Sequence, residues 1–199
     1  MAAPVLYYIR HGETAWNAAG RFQGSQDIPL NDRGRQQAGQ AGQILDGLFR
    51  RDGRGAAMMP FVASPLGRAR QTMELVRGAL DLTPCSYATD NRLREIGYGR
   101  WEGSTLLQMR ASDPEIFAKR ERDVWEVSPP GGESYAAVTF RMRDWYASLT
   151  ADTVAVAHGG TARALLVALG IETPISAADL MIEQGVVYVF ADGICSKYA

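Results

Sequence analysis

The 199-residue sequence predicts an α/β fold: a three-layer sandwich with a mostly parallel central sheet and helices on both faces, built as a single domain over residues 1–199. Three observations carry that expectation. Short apolar runs of strand length alternate with longer amphipathic stretches, the pattern of a sheet crossed over by helices. Two of those runs end in the same dipeptide, His11-Gly12 and His158-Gly159, and these are the only two histidines in the chain. Hydrophobic residues make up 46% of the sequence, enough for a sizeable core.

In chain order, Val5 to Ile9 reads as a buried strand that stops at Arg10-His11-Gly12, where the glycine is expected to let the backbone turn sharply. Gln26 to Pro29 reads as a loop. Asn31 or Asp32 then caps a helix running to Phe49, with Ala38, Ala41, Leu45 and Leu48 on one face. Arg50 to Gly55 is a charged, solvated turn. Phe61-Val62-Ala63 is a second strand, and Ser64-Pro65 reads as the cap and first-turn proline of the next helix. In that helix Ala69, Met73, Val76 and Leu80 form an apolar stripe. A third strand is expected near Cys85 to Tyr87, and short helices over Thr105–Arg110 and Pro114–Arg122. Ser128 to Gly132 breaks the chain before a helix from Glu133 to Leu149, with Val138, Met142, Trp145 and Leu149 inward. A strand (Thr153–Ala157), a helix (Thr161–Leu169) and a last strand (Val186–Phe190) complete the prediction.

Composition excludes several classes. No apolar run approaches the roughly 18 residues of a membrane span. The start of the chain lacks a basic flank followed by a long apolar segment, so no signal peptide is expected and a cytoplasmic location is. A formal net charge of −1 does not suit a general nucleic-acid binder. Cys85 and Cys195 stand in no metal or redox spacing and read as two reduced thiols. Gly97-Tyr98-Gly99 followed by Gly103 misses the dinucleotide fingerprint by one position, and no P-loop is present.

The candidate chemistry lies at the two strand ends. In open α/β sheets ligands bind outside the carboxyl ends of the strands, which is where His11, Arg10 beside it, and His158 fall. The surrounding sequence resembles the histidine phosphatase (phosphoglycerate mutase-like) superfamily along nearly its whole length. The resemblance is carried by Arg10-His11-Gly12-Glu13-Thr14 with Asn17, by Arg21-Phe22-Gln23-Gly24 and by Pro29-Leu30-Asn31. It continues through Ser64-Pro65-Leu66-Gly67-Arg68-Ala69-Arg70-Gln71-Thr72, Leu93-Arg94-Glu95 with Gly99-Arg100-Trp101-Glu102-Gly103, Pro130-Gly131-Gly132-Glu133-Ser134, and His158-Gly159-Gly160. These blocks occur in the family's order.

The resemblance implies hydrolysis of a small phosphomonoester through a phosphohistidine on His11. The chemistry required is consistent with the residues. Arg10, Arg68 and a protonated His158 supply positive donors to the phosphate, with guanidinium forks giving bidentate contacts. Asn17, Gln23, Gly24 and the backbone at Gly159 complete its surroundings. His11 has to be unprotonated, with its other ring nitrogen held by an acceptor. Glu95 is the family's general acid by its place in the Leu-x-Glu block; Glu13 and Glu102 are alternatives with structural explanations, a loop tie and a satisfied carboxylate. Arg70 reads as solvated, and Tyr98, Arg21, Arg100 and Trp101 as either the substrate mouth or packing.

No cofactor is implied and no metal site is expected, since two histidines beside an arginine are a poor cation site. The expected partner is a small phosphorylated metabolite, with neither nucleic acid nor membrane, and a homodimer is left open. Two other functions fit the same residues. One is a phosphoglycerate mutase, which the resemblance disfavours because its His-Tyr-Gly segment is replaced here by Ile96-Gly97-Tyr98-Gly99-Arg100-Trp101 and because the chain is shorter; Lys119, Arg120 and Arg122 could imitate its basic cluster. The other is a non-catalytic phospho-ligand binding protein.

Overall fold

Six strands form one sheet in the computed structural model, which describes residues 3–199: β1 (Leu6–Arg10), β2 (Phe61–Ala63), β3 (Ala88–Thr89), β4 (Thr153–Ala157), β5 (Val187–Ala191) and β6 (Ile194–Tyr198). Their order across the sheet is β3-β2-β4-β1-β5-β6. The first four run parallel to one another, β5 is antiparallel to β1, and β6 is antiparallel to β5. Among the described strands β5 alone therefore runs against the rest, so the sheet is mixed in pairing and mostly parallel in direction. Both faces are covered. Tyr7, Ile9, Val154 and Val156 point into one core with Leu45, Phe49, Ala69 and Met73 from α2 (Asp32–Arg51) and α3 (Gly67–Ala79). Leu6, Tyr8, Ala155 and Ala157 point into the other with Val138, Met142, Trp145 and Leu165 from α6 (Tyr135–Ala147) and α7 (Gly159–Ala168). The period of two along β1 and β4, apolar on both sides, is what a central strand between two helical layers requires.

Four further helices are short: α1 (Ala15–Ala18), α4 (Leu106–Ser112), α5 (Pro114–Arg122) and α8 (Pro174–Asp179). Asn31 caps α2 by accepting from the Gly34 amide, and Thr105 caps α4 by accepting from that of Gln108. Several expected boundaries move. The helix after β2 starts at Gly67, not at Ser64-Pro65, and its N-cap Leu66 makes no side-chain cap. The strand expected at Cys85 to Tyr87 forms at Ala88–Thr89, leaving Cys85 exposed, and the last predicted strand shifts to Val187–Ala191. α7 begins at Gly159, two residues early, because His158 is extended (φ −133°, ψ 171°) and releases the chain directly into the helix. Among the described residues no helix is long and apolar enough to cross a membrane.

Pairing in the sheet explains how two histidines so far apart in sequence meet. β1 and β4 are adjacent and in register, with Arg10 opposite Ala157. The register continues past the strand ends, where the His11 amide donates to the Ala157 carbonyl at 2.9 Å. His11 and His158 thus leave neighbouring strands at the same level. Gly12 is not in a left-handed conformation, so it does not serve as the sharp turn expected of it. A side chain there would overlap the Gly34 backbone, with Cα only 2.8 Å from the added carbon. Gly12 is required for close approach of the β1 exit to α2, not for its torsion angles.

Candidate active site

At the carboxyl ends of β1 and β4 lies a cavity of about 230 Å³. Arg10, His11, Asn17, Gln23, Gly24, Arg68, Glu95 and Gly159 line it. His158 lies beside His11, wholly buried, with ring centroids 5.1 Å apart and planes inclined at 61°. The structure therefore brings every residue expected at the site to one place. The two rings meet edge to face.

His11 is fixed through its Nδ1, 2.7 Å from the Gly12 carbonyl oxygen. A carbonyl only accepts, so Nδ1 carries the proton and Nε2 keeps its lone pair. That lone pair faces Arg68, whose Nε donates to it at 3.3 Å. Burial, then Arg68, then Arg10 hold the imidazole well below its usual pKa, against a smaller opposing effect of the Gly12 carbonyl. The ring is neutral.

His158 is neutral too. Burial, followed by Arg68, His11 and Arg10, also pushes its pKa well below the ordinary range. Its Nε2 is 2.7 Å from Ser64 Oγ. Besides His158, that hydroxyl is within reach only of the Leu66 amide, itself a donor, at 3.4 Å. With Ser64 fully buried, its hydroxyl hydrogen has one acceptor, His158 Nε2. The proton of the neutral ring then sits on Nδ1. Unless a phosphate pairs with it, two guanidinium groups and a second imidazole make an imidazolium at His158 costly; the charged ring expected from the sequence is one paired with the phosphate.

Nδ1 of His158 has no partner, and neither does Nε of Arg10. Two of the four buried side-chain polar atoms left unpaired among the described residues are thus donors beside His11. Buried donors without acceptors are rare. An anion at this position would satisfy both. Arg10 itself is held by its Nη1, which donates to the Ile182 carbonyl at 2.6 Å. Burial lowers its pKa while Glu95 works in the opposite direction.

Arg68 is wholly buried and splits its donors differently from expectation. Nη1 donates to the Gln26 carbonyl at 2.6 Å and Nη2 to the Gly24 carbonyl at 2.8 Å. It binds the 24–26 loop to His11, which leaves less of its fork for a phosphate. The same loop is held from the other side by Glu102, which accepts from the Ser25 amide at 3.0 Å, its hydroxyl and Gln26 Nε2. Gly24 has φ +54°, and a side chain there would strike the Glu102 carboxylate. Glu102 is a structural carboxylate, as is Glu13, which accepts from Asn31 Nδ2 at 2.9 Å.

Glu95 accepts from its neighbour Ile96 N at 3.0 Å and from the Gly160 amide at 3.3 Å. Any side chain at Gly160 would overlap the Glu95 carboxylate, and Ile96 Cγ2 would be 2.7 Å from the added carbon. Thr14 caps α1 by accepting from the Asn17 amide at 3.1 Å, and the Asn17 side chain accepts from the Thr14 amide at 3.2 Å in return. Gln23 accepts from Thr14 Oγ1 at 3.0 Å. Sequence reading missed Ser64, assigned to a helix cap, and Gln184, whose Nε2 reaches the His11 carbonyl (3.1 Å) and Asn17 Oδ1 (3.2 Å). No local signal marks either, since their partners lie 94, 173 and 167 residues away.

The two neutral histidines have a consequence for stability. An unfolded imidazole gains a proton below about pH 6.5, whereas the folded rings resist it. Depressed folded pKa values contribute stability that is fully present above pH 6.5 and lost as pH falls below it. The expected slope is about 1.4 kcal/mol per pH unit for each ring while the folded form stays neutral. Urea unfolding at pH 7 and pH 5 checks this: His158→Asn should lose less stability on acidification than wild type. Equal losses would contradict the neutral assignment.

Comparison with known proteins follows the same lines. The family model of the histidine phosphatase superfamily (branch 1) matches residues 6–190. The chain is 31% identical over 206 residues to 2,3-bisphosphoglycerate-dependent phosphoglycerate mutase 2 of Gloeobacter violaceus, covering 97% of this chain and 89% of that one. It is 35% identical over 183 residues to glucosyl-3-phosphoglycerate phosphatase of Mycobacterium tuberculosis, covering 85% and 76%. The crystal structure of the α-ribazole phosphatase from Shigella flexneri superposes with a TM-score of 0.78 at 25% identity, covering 96% of this chain and 93% of that one.

Proposed function

The chain belongs to the histidine phosphatase superfamily, whose matched members include phosphatases and mutases, and from that premise we propose that it hydrolyses a small phosphomonoester through a phosphohistidine on His11, without a metal ion. The observation that carries this reading is the unprotonated Nε2 of His11, held only by a long 3.3 Å contact from Arg68 Nε, beside two buried, unpartnered donors, Arg10 Nε and His158 Nδ1.

In this reading the phosphoryl group sits against Arg10, the remaining guanidinium hydrogens of Arg68 and His158 Nδ1–H. Asn17, Gln23, Gly24 and the Gly159 backbone surround it. His11 Nε2 attacks phosphorus, the bond to the leaving oxygen breaks, and Glu95 delivers the proton that oxygen needs. Water then attacks the phosphohistidine with Glu95 as base, releasing inorganic phosphate and returning Nε2 its lone pair. Because His158 donates as a neutral imidazole, the anion site works without an imidazolium.

Hydrolysis is favoured over mutase action by Ile96-Gly97-Tyr98-Gly99-Arg100-Trp101 standing where the mutases carry a His-Tyr-Gly segment; the basic cluster on α5 does not decide between them. Lys119 and Arg122 are exposed, and Arg120 is buried with Nη1 donating to the Val124 carbonyl at 3.1 Å and to that of Val127. None of the three lines the catalytic cavity, while Arg120 and Arg122 line the cleft beside it. The separating assay supplies 3-phosphoglycerate with and without 2,3-bisphosphoglycerate. Phosphate release that needs no priming is the expected result, and isomerisation dependent on the bisphosphate would make the chain a mutase. Inertness of wild type towards a broad panel of phosphomonoesters would leave the binding-protein reading.

Ser64 is a positioning residue in this scheme. Ser64→Ala is expected to cost about tenfold in kcat/KM, the net worth of one buried hydrogen bond. With only two histidines in the chain, ¹⁵N spectra of the ring nitrogens are simple to assign. Wild type should show His158 protonated at Nδ1, and the variant should lose that preference. A wild-type ring protonated at Nε2 would refute the role.

A further inference from the structure

We propose that a second, larger cleft beside the catalytic cavity receives the organic part of the substrate, and that the chain acts on phosphate monoesters of alcohols carrying a flat aromatic group. The inference rests on the phosphatase reading and adds the substrate class to it.

The catalytic cavity, at about 230 Å³ and lined largely by polar groups, holds a phosphoryl group and a few further atoms, and falls short of the roughly 300 Å³ at which sites for larger organic molecules begin. The neighbouring cleft measures about 550 Å³, within the range of sites that hold small organic molecules. Phe22, Tyr98 and Arg163 line both. The rings of Phe22 and Tyr98 meet edge to face at 4.8 Å and form the sill between the two spaces.

The direction of the chemistry leads across that sill. The leaving oxygen must depart away from His11 and towards its proton donor. Glu95 lines the catalytic cavity together with Tyr98 and Arg163, the two residues that also line the cleft. An alcohol protonated by Glu95 therefore emerges at the wall that the two spaces share.

The cleft is built for a ring. Beyond the sill its walls include Trp101, Phe117, Trp125 and Tyr135, with Trp125 stacked on Tyr135 at 4.8 Å and 17°. Leu106 and Ile175 form apolar lips that are 57% and 84% exposed. Three guanidinium groups, Arg120, Arg122 and Arg163, line it together with the carboxylates of Glu121, Asp123 and Asp179, and among the described residues none of the three arginines forms an ion pair. Arg163 is held by the Leu180 carbonyl (2.9 Å) and the Tyr135 hydroxyl (3.2 Å). Aromatic walls and planar cations without carboxylate partners favour a π-face over an aliphatic polyol.

The test compares 2-(naphthalen-2-yl)ethyl phosphate with ethyl phosphate. Both leave as primary alcohols of similar acidity, so the ratio of their kcat/KM values isolates binding of the ring. Wild type should favour the naphthyl ester at least about tenfold. Ala178→Trp places an indole in the cleft from α8 and should bring the ratio close to one, with ethyl phosphate hydrolysed as by wild type. Ile175→Glu, at an exposed lip, should lower the ratio in the same direction without disturbing the core. Hydrolysis of both esters with no preference in wild type, or a preference that both variants retain, would overturn the assignment and leave the phosphatase reading standing. Hydrolysis of neither ester by wild type would overturn both.

Discussion

Replacing His11 with alanine is expected to lower phosphatase turnover by a factor on the order of 10⁴ or more, with the fold intact. The size follows from its position. His11 Nε2 carries the imidazole lone pair left to attack phosphorus, touched by Arg68 Nε only at 3.3 Å, whereas that of His158 is taken by Ser64 at 2.7 Å. Without a nucleophile water must attack phosphorus directly, in a cavity where Arg10 and Arg68 still bind the anion but nothing divides the displacement into two steps. Vanadate or phosphate affinity measured on the same variant should change far less than turnover. Turnover within tenfold of wild type would remove His11 from the chemistry.

Glu95→Gln is expected to have the second largest effect, 10²–10⁴-fold as is usual for loss of a general acid, and that effect should depend on the leaving group. Its amide oxygen can accept from only one of the Ile96 and Gly160 amides, which donate to different oxygens of the carboxylate at 3.0 and 3.3 Å. Size and shape are preserved, while one backbone contact and the transferable proton are lost. An alkyl phosphate, whose alkoxide needs that proton, should be slowed in its first turnover. With p-nitrophenyl phosphate the phenolate leaves unaided, so the variant should release a stoichiometric burst of nitrophenol. Slow turnover should follow, because water attack on the phosphohistidine has lost its base. Equal slowing of the first turnover with both substrates would mean that Glu95 only positions groups. Gly160 bears on the same point, as any side chain there displaces the Glu95 carboxylate.

Much of this arrangement is legible in the sequence because it depends on patterns that short segments carry. β4 is a run of five buried residues and was expected at its observed bounds, as was α5 with its first-turn proline. The stripe Ala69, Met73, Val76 and Leu80 is buried along its length. Elements whose residues lack that contrast were not visible. β6 is an edge strand in which no residue is fully buried, so it shows no alternation; β3, two exposed residues, is placed only approximately, expected near Cys85 to Tyr87 and formed just after them. α1 and α8 have four and six residues, too few for a helical period.

At the site, residue types were legible and their partners were not. Ser64 followed by Pro65 has the local form of a helix start, yet its hydroxyl is spent on a histidine 94 residues away. Arg68 was readable as a cation near the crevice, but its attachment to the carbonyls of Gly24 and Gln26 depends on a loop that Glu102 folds over it. The protonation of His158 could not be read from either neighbour in sequence. It is set by Arg68, His11 and Arg10, which only β1–β4 pairing and the α3 register bring together.

The account depends on a covalent bond between phosphorus and His11 Nε2. Rapid quenching of wild type during turnover of a ³²P-labelled phosphomonoester, followed by alkaline digestion and mapping of the label, measures that bond directly. An acid-labile, base-stable phosphohistidine on the peptide containing residue 11, substituted at Nε2 and absent from His11→Ala, is the predicted result. Phosphate released at full rate with no labelled protein at any quench time, or with the label on the peptide containing residue 158, would contradict it.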